Sequence, residues 1–487
     1  MNIRNLEPQE LWRNFVSLNA VPRASKKEER VIAFMRAFAE GLGLETLQDA
    51  AGNVVVKKPA TKGMANRKTV ILQSHLDMVH QKNSDTVFDF ETQGIEMFVE
   101  GDWVKACGTT LGADNGIGVA TIMTLLAAKD IEHPALEAMF TIDEETGMTG
   151  AKQLDPANFS GAILLNLDTE EDDELTIGCA GGLDINTTYN YVHVAAVEEG
   201  VAFEIKLKGL LGGHSGMDIH KGRGNANKLM NRLLFEALKT LSLQLHELDG
   251  GSLRNAIPRE SKAIVVLPVA QKLEFLAFTG IFSTVLKAEY HGIEPSLAIT
   301  VNECPVPKIV MDKADFVKIV NAIYTVPNGV YRMSPAIENL VEASTNLARV
   351  IVKNGHFITQ SLQRSSVEST KADVANAVGA AFELMGCAVN QSGDYPGWKP
   401  DPDAELLKLM VKLYRQNFGK APKVEACHAG LECGILGAHL PGMEMISFGP
   451  TIRGAHSPDE RVQISSVQKF WTYLLAVLKE IPAVKIP

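Results

Sequence analysis

At 487 residues the chain is longer than a single hydrophobic core usually serves, which predicts two domains, each able to bury a substantial interior. Its 47 Lys and Arg against 58 Asp and Glu leave a net charge of -11, which argues against nucleic acid or an anionic membrane as partner and favours a small substrate. The opening MNIRNLEPQELWRNF has no apolar h-region, no later stretch reads as a bilayer span, and the six scattered cysteines (Cys107, Cys179, Cys304, Cys387, Cys427, Cys433) form no CxxC pair, so a cytoplasmic protein with reduced thiols is expected.

Along the first third, strand-like and helix-like segments alternate. A helical pattern over 26–42 precedes the β-branched runs NVVVKK (53–58) and TVILQS (69–74), then a helix over 113–129, the strand LEAMFTID (136–143), a helical TGMTGAKQL and the apolar run AILLNLD (162–168). Such alternation, with several strands apolar throughout, predicts a largely parallel sheet with helices on both faces. After about residue 182 the pattern changes: VAFEIKLKG and SLAITVNE alternate apolar with polar residues, as strands with one solvated face do, and 225–241 and 371–386 read as helices for the other face. The Gly, Pro and Asn-rich NQSGDYPGWKP (390–400) reads as a return linker, after which a helix over 403–418, the strand EMISFGP (444–450) and a helix over 467–480 resume the first pattern. The expected fold is therefore an α/β catalytic domain from 1–182 and 398–487, with an α+β domain inserted at 183–397. No internal repeat is visible in the string, although the insert is long enough for two similar halves.

In an open α/β sheet the ligand site lies outside the carboxyl ends of the strands. There TVILQS runs into His75 and Asp77, LEAMFTI into Asp143, Glu144 and Glu145, AILLNL into Asp168, and EMISFGP is followed by His456; Asp114 sits just before a helix. Each alone is ordinary surface polarity, but together they supply the imidazole and carboxylate ligands of a pair of zinc-class ions. Asp77, two residues beyond His75, is placed to orient it, and of the adjacent Glu144 and Glu145 one would ligate while the other stays available as a base.

The motifs SHLDMV (74–79), GTTLGADNGIG (108–118), DEETGMTGA (143–151), NLDTEE (166–171), GLLGGHSGMDI (209–219), HAGLECG (428–434) and GAHSPDE (454–460) resemble, in order and separation, the dinuclear zinc aminoacylase and carboxypeptidase-G superfamily. Within it the chain is most similar to the bacterial aminoacyl-histidine dipeptidases, also called cytosol non-specific dipeptidases, over essentially its whole length. The resemblance implies that His75 and Asp168 hold one metal, Glu145 and His456 the other, and Asp114 bridges them, with a cis peptide after it. It also implies Glu144 as general base, Asp77 as the group orienting His75, and the insert as a lid that often mediates dimerisation. In that lid His214 would stabilise the tetrahedral oxyanion and Asn255 and Arg364 would hold the substrate's backbone and terminal carboxylate, while Gly430, outside the lid, would make a backbone contact near the substrate.

The expected activity is hydrolysis of unblocked dipeptides, Xaa-His such as β-alanyl-histidine included, by a metal-activated water with a glutamate base. Two divalent ions, Zn2+ or alternatively Mn2+ or Co2+, and a homodimer complete the expectation. An N-acyl-amino-acid deacylase or carboxypeptidase on the same fold is the enzymatic rival, and a silent peptide binder the non-enzymatic one.

Overall fold

The structure, a computed structural model, describes residues 2–484. It contains two units, one of residues up to 178, 400–426 and from 431 onward, the other of residues 179–399 with 427–430.

The first unit is built on an eight-stranded sheet. Its spatial order is Glu45–Gln48, Val54–Lys58, Leu136–Thr141, Val70–His75, Ile163–Asn166, Glu444–Ser447, Glu174–Cys179, Lys423–Cys427. The four central strands run parallel, and the pairings flanking them, with Val54–Lys58 and Glu174–Cys179, are antiparallel. Val70–His75 and Leu136–Thr141 are buried at every position, as strands covered on both faces must be. The helix Ala113–Ala127, apolar nearly all round, is likewise buried along most of its length. Gly118 lets it approach the sheet: a Cβ there would meet the Ser74 hydroxyl and stand 2.7 Å from the Leu167 carbonyl. The predicted helix TGMTGAKQL shrinks to one turn, Thr149–Lys152, entered through Met148 in the left-handed region at φ 51°.

The second unit holds a long antiparallel sheet made of two halves with the same plan, β-α-β-β-α-β. In the first half the strands lie in the order Ala298–Cys304, Gly200–Lys208, Ser261–Pro268, Gln244–Gly251. In the second the order is Val341–Lys353, His356–Ser365, Gly181–Asn190, Ala388–Tyr395, with Gly329–Met333 added alongside Val341–Lys353. Numbered by chain order within each half, the first reads 4-1-3-2 and the second its mirror, and the two second strands, Gln244–Gly251 and Val341–Lys353, pair to join them. The helices Ala226–Leu238, Lys272–Glu289, Lys313–Thr325 and Glu368–Glu383 pack one face around Phe203, Phe275, Phe316, Phe357 and Phe382.

Two readings need correction. The first part of 390–400 is not a linker: Ala388–Tyr395 is an edge strand on Gly181–Asn190, and its glycine is accommodated where the register shifts between Ser392 and Tyr395, with Gly393 at φ 62°. Residues 269–289, overlooked in the sequence, have the length and composition of a bilayer-crossing helix. In the structure Phe275, Thr279, Phe282 and Leu286 of that helix form the buried stripe, while Leu273 and Ile281 are exposed.

Replacing Gly118 by Ala should lower the melting temperature, at a cost of about 1–3 kcal/mol for overpacking. Thermal and urea unfolding of the variant beside the parent protein measure it.

Candidate metal centre

The parallel strands of the first unit end side by side, so the residues that follow them converge. His75 closes its strand fully buried, with Nδ1 3.1 Å from the Asp77 carbonyl and 3.3 Å from Asp77 Oδ1. Its Nε2 faces the other way, 3.2 Å from Asp114 Oδ1 and 3.5 Å from Asp168 Oδ1. His456, in the left-handed region at φ 62°, brings Nε2 to 3.2 Å from Asp114 Oδ2 and 3.0 Å from Glu145 Oε2. Asp114 therefore offers one oxygen to each imidazole, and the Asp114–Asn115 peptide is cis.

Ligand-capable atoms of His75, Asp114 and Asp168 lie within 4.8 Å of one another, as do those of Asp114, Glu145 and His456. A third grouping, His75 with Glu144 and Glu145, shows that both adjacent glutamates turn an oxygen toward the same imidazole, closer than an extended chain would permit. The chain is not extended there, because Asp143 takes a left-handed φ of 53° and Asp77 accepts from both following amides, Glu144 N–H at 3.1 Å and Glu145 N–H at 3.3 Å. The Ser25 hydroxyl adds a third hydrogen bond to Asp77 at 2.8 Å.

Electrostatics at this rim are dominated by crowded carboxyls. Burial, with repulsion from neighbouring acids, pushes Asp168 up to about 6, Glu170 to about 8 and Glu432 to about 8, and raises Glu144 well above the usual range. Hydrogen bonds to Asp114 and Glu145 push His456 up to about 11, while burial opposes ionisation of Asp114 but the two imidazoles hold it far below the ordinary range. Asp77 resists the same burial through hydrogen bonds from His75, Ser25 and the Glu144 amide, and stays ionised below the usual range. Among the described residues the buried Glu145 Oε1 and Asp168 Oδ1 have no hydrogen-bond partner, the latter approached only by His75 Nε2 at 3.5 Å. Orphaned carboxylate oxygens beside two imidazoles are the donor set of a divalent cation of the zinc, manganese or cobalt kind, so the residues fit a metal.

Two further residues, not singled out in the sequence, assemble this rim. Glu460 accepts from four successive amides, Leu111 and Gly112 on Oε2 at 2.7 and 2.9 Å, Ala113 and Asp114 on Oε1 at 2.7 and 3.2 Å. It thereby fastens the segment carrying His456 to the start of the helix carrying Asp114, where amide dipoles favour a carboxylate. Arg23, fully buried, donates to the carbonyls of Leu76 and Asp77 at 3.1 Å each, to Gly112 O at 2.5 Å and to Asn19 Oδ1 at 3.0 Å. Only the SPDE that follows His456 hinted at Glu460, and nothing local marked Arg23. Beneath the rim, Glu432 accepts at 2.7 Å from both Gln73 and Thr141, residues of the strands ending at His75 and before Asp143.

The second unit carries the remaining predicted residues. His214 Nδ1 accepts from Gly216 and Met217 N–H at 3.1 and 3.0 Å, which leaves the ring proton on Nε2; burial and the field of Arg364 lower its pKa and keep the ring neutral. Arg364 is buried, with Nε 3.5 Å from Ser215 Oγ and Nη1 2.9 Å from the Tyr395 hydroxyl. Gly430 lies against the Tyr395 ring. Asn255 sits in an exposed turn, and it is its carbonyl that reaches this group, accepting from Ser215 N–H at 2.8 Å.

A fold with this rim of histidines and acids is that of a metallopeptidase, and a profile of peptidase family M20/M25/M40 matches residues 71–480: the chain belongs to that family, and it is a metal-dependent hydrolase. It is 41% identical over 485 residues to the cytosol non-specific dipeptidase of Escherichia coli (strain K12), covering 99% of each chain. It is similar also to the crystal structure of aminoacylhistidine dipeptidase from Vibrio alginolyticus, at 42% identity, 99% coverage of both chains and a TM-score of 0.95. The aminopeptidase PepT of Bacillus cereus, 16% identical with a TM-score of 0.56 over 98% of this chain and 99% of its own, shares the fold.

Glu460→Ala should strand four amides and loosen Asp114 from His456, lowering metal affinity by roughly 10- to 100-fold. Metal titration of the apoprotein, with thermal melting alongside, reads both effects.

Proposed function

We propose that this chain is a dipeptidase that takes unblocked dipeptides, Xaa-His among them, and works with two divalent ions, Zn2+ in the first instance. The observation that carries the reading is Asp114, with one oxygen 3.2 Å from His75 Nε2 and the other 3.2 Å from His456 Nε2. A carboxylate so shared divides the donors into two sets, His75 with Asp168 and Glu145 with His456. When bound, such ions act as Lewis acids that polarise an amide carbonyl and bring a water to reactivity near neutral pH. The two relatives of matching length, named as dipeptidases, support the same reading.

Glu144 is the base in this proposal. It offers an oxygen beside His75 and Glu145, and its burial raises its affinity for a proton, so in its ionised form it would take a proton from the attacking water and, then protonated, deliver it to the amine nitrogen as the C–N bond breaks. Asp77 orients His75 through Nδ1. His214, neutral with its proton on Nε2, is a donor suited to the oxyanion, and Arg364 is a fork suited to the substrate's carboxylate, with Asn255 and Gly430 as neighbouring contacts. The second unit, taken as an inserted lid, would bring these groups to the substrate.

The relative named for the cytosol supports a cytoplasmic location as part of this reading. Assembly as a homodimer belongs to the same proposal. The 79% exposed Leu273 and 67% exposed Ile281 mark an apolar face on the second unit that a copy of the chain would cover, and sedimentation velocity should find a dimer.

The activity is tested on protein stripped of metal and reloaded with zinc or manganese, using free dipeptides, β-alanyl-histidine and their N-acetylated counterparts. Metal-dependent cleavage of the free set alone is expected; cleavage of the acetylated set would indicate a deacylase, and none in either set a binder. Glu144→Ala should keep its metal while kcat falls by roughly 100- to 10,000-fold; undiminished turnover would remove Glu144 as the base.

A further inference from the structure

Arg364 is a buried cation without a counter-ion. It is 4% exposed, yet among the described residues no carboxylate oxygen lies within 4 Å of its guanidinium. Asp184, which feels its field, is instead paired with Arg254 at 3.2 Å. Burying an arginine this way is costly unless an anion completes it, so its surroundings suit a ligand that carries negative charge.

Tyr395 is the neighbour of Arg364 with no role so far. Its ring lies over the backbone of Gly182, where a Cβ would stand 2.5 Å from Cε1 and 2.6 Å from the hydroxyl oxygen, and a Cβ at Gly430 would meet its other edge at 3.0 Å. Two glycines from separate segments thus leave a slot that fits this ring. The backbone is held as firmly: Lys371, 3% exposed and paired with Glu368 and Asp394, donates to the Tyr395 carbonyl at 2.7 Å. A guanidinium can only donate, so at 2.9 Å from Arg364 Nη1 the phenol oxygen is the acceptor and its own O–H points away from the arginine. No hydrogen bond among the described residues takes up that proton.

We propose that Tyr395 is a substrate-binding and specificity-determining residue: its O–H and the Arg364 guanidinium together grip one carboxylate, that of the dipeptide's C-terminal residue. Accepting from Nη1 fixes the plane of the arginine fork, and the phenol proton adds a donor from a second direction. A carboxylate takes both donations, whereas a carboxamide presents N–H groups toward an arginine that cannot accept, so the pair selects free dipeptides over their amides. The assignment rests on the dipeptidase reading for the identity of the ligand, but not for the existence of the anion site.

The test reads binding, so that turnover does not enter. The probe is a reduced-amide analogue of alanyl-leucine, with CH2–NH in place of the scissile amide, in its carboxylate and carboxamide forms, titrated calorimetrically into the metal-loaded protein and into Tyr395→Phe. Phenylalanine keeps the ring in its slot, and unchanged melting confirms that the variant is intact. Wild type should prefer the carboxylate form, and the variant should lose roughly 10- to 100-fold of affinity for it while holding the carboxamide form as before. The same preference in wild type and variant, equal weakening of both forms, or no binding of either by wild type would each overturn the assignment. Normal selective binding by a wild type that cleaves no dipeptide would overturn the dipeptidase reading instead and leave Tyr395 in place.

Discussion

Carboxylates crowded into a buried rim repel one another, and the first unit is organised around holding them together. Asp77, Asp114, Glu144, Glu145 and Asp168 meet where four parallel strands end, and burial there pushes Asp168 to about 6 and Glu144 well above the usual range. Two histidines supply what positive charge faces the cluster directly, and the buried Arg23 holds the loops beneath it through carbonyls rather than through the acids themselves. A divalent cation held by these donors would relieve such a concentration of negative charge.

The support for the centre is drawn from distant parts of the chain. Glu460 reaches back to the amides of Leu111 to Asp114, and Glu432 to Gln73 and Thr141, each tie spanning some 290 residues or more of sequence. Both use a carboxylate to satisfy several donors at once, which fixes the backbone from which a ligand projects. Below that lies a run of buried polar contacts, Gln73 with Asn166, Asn166 with Ser447 and Ser447 with Thr169, joining three neighbouring parallel strands just before their carboxyl ends. A misplacement of one ligand is therefore opposed by hydrogen bonds on several elements.

The second unit solves a different problem. Its two β-α-β-β-α-β halves share strand order and join through equivalent strands, so one continuous sheet presents loops from both. His214 belongs to a loop of the first half, whereas Arg364 and Tyr395 belong to strands of the second, and Ser215 and Tyr395 each touch the arginine. The surroundings of the arginine thus draw on both halves, Tyr395 from the second and Ser215 from the first.

Much of the candidate metal centre could be read from the string because the strands of the first unit are largely apolar and run into charged residues: His75, Glu144, Asp168 and His456 follow strands of its parallel portion. Local patterning also marked the strand Gly200–Lys208, whose later positions alternate buried and exposed because one face is wet. It failed at Ala388–Tyr395, where an edge strand tolerates the Gly and Asn that elsewhere signal a linker, and at 269–289, where a largely exposed helix with a narrow buried stripe went unmarked. Arg23, Glu460 and Tyr395 lay beyond any local pattern, because each acts through contacts made far away in the chain, and an arginine, glutamate or tyrosine in a loop carries no periodic signal. By itself the sequence determined which segments become strands and which acids end them, for those depend on neighbours within a few residues. Only the tertiary structure decided that Asp114 stands between His75 and His456, and that Arg364 is buried beside a tyrosine with no acid among the described residues to pair it, since both are distances between residues that the chain brings together only on folding.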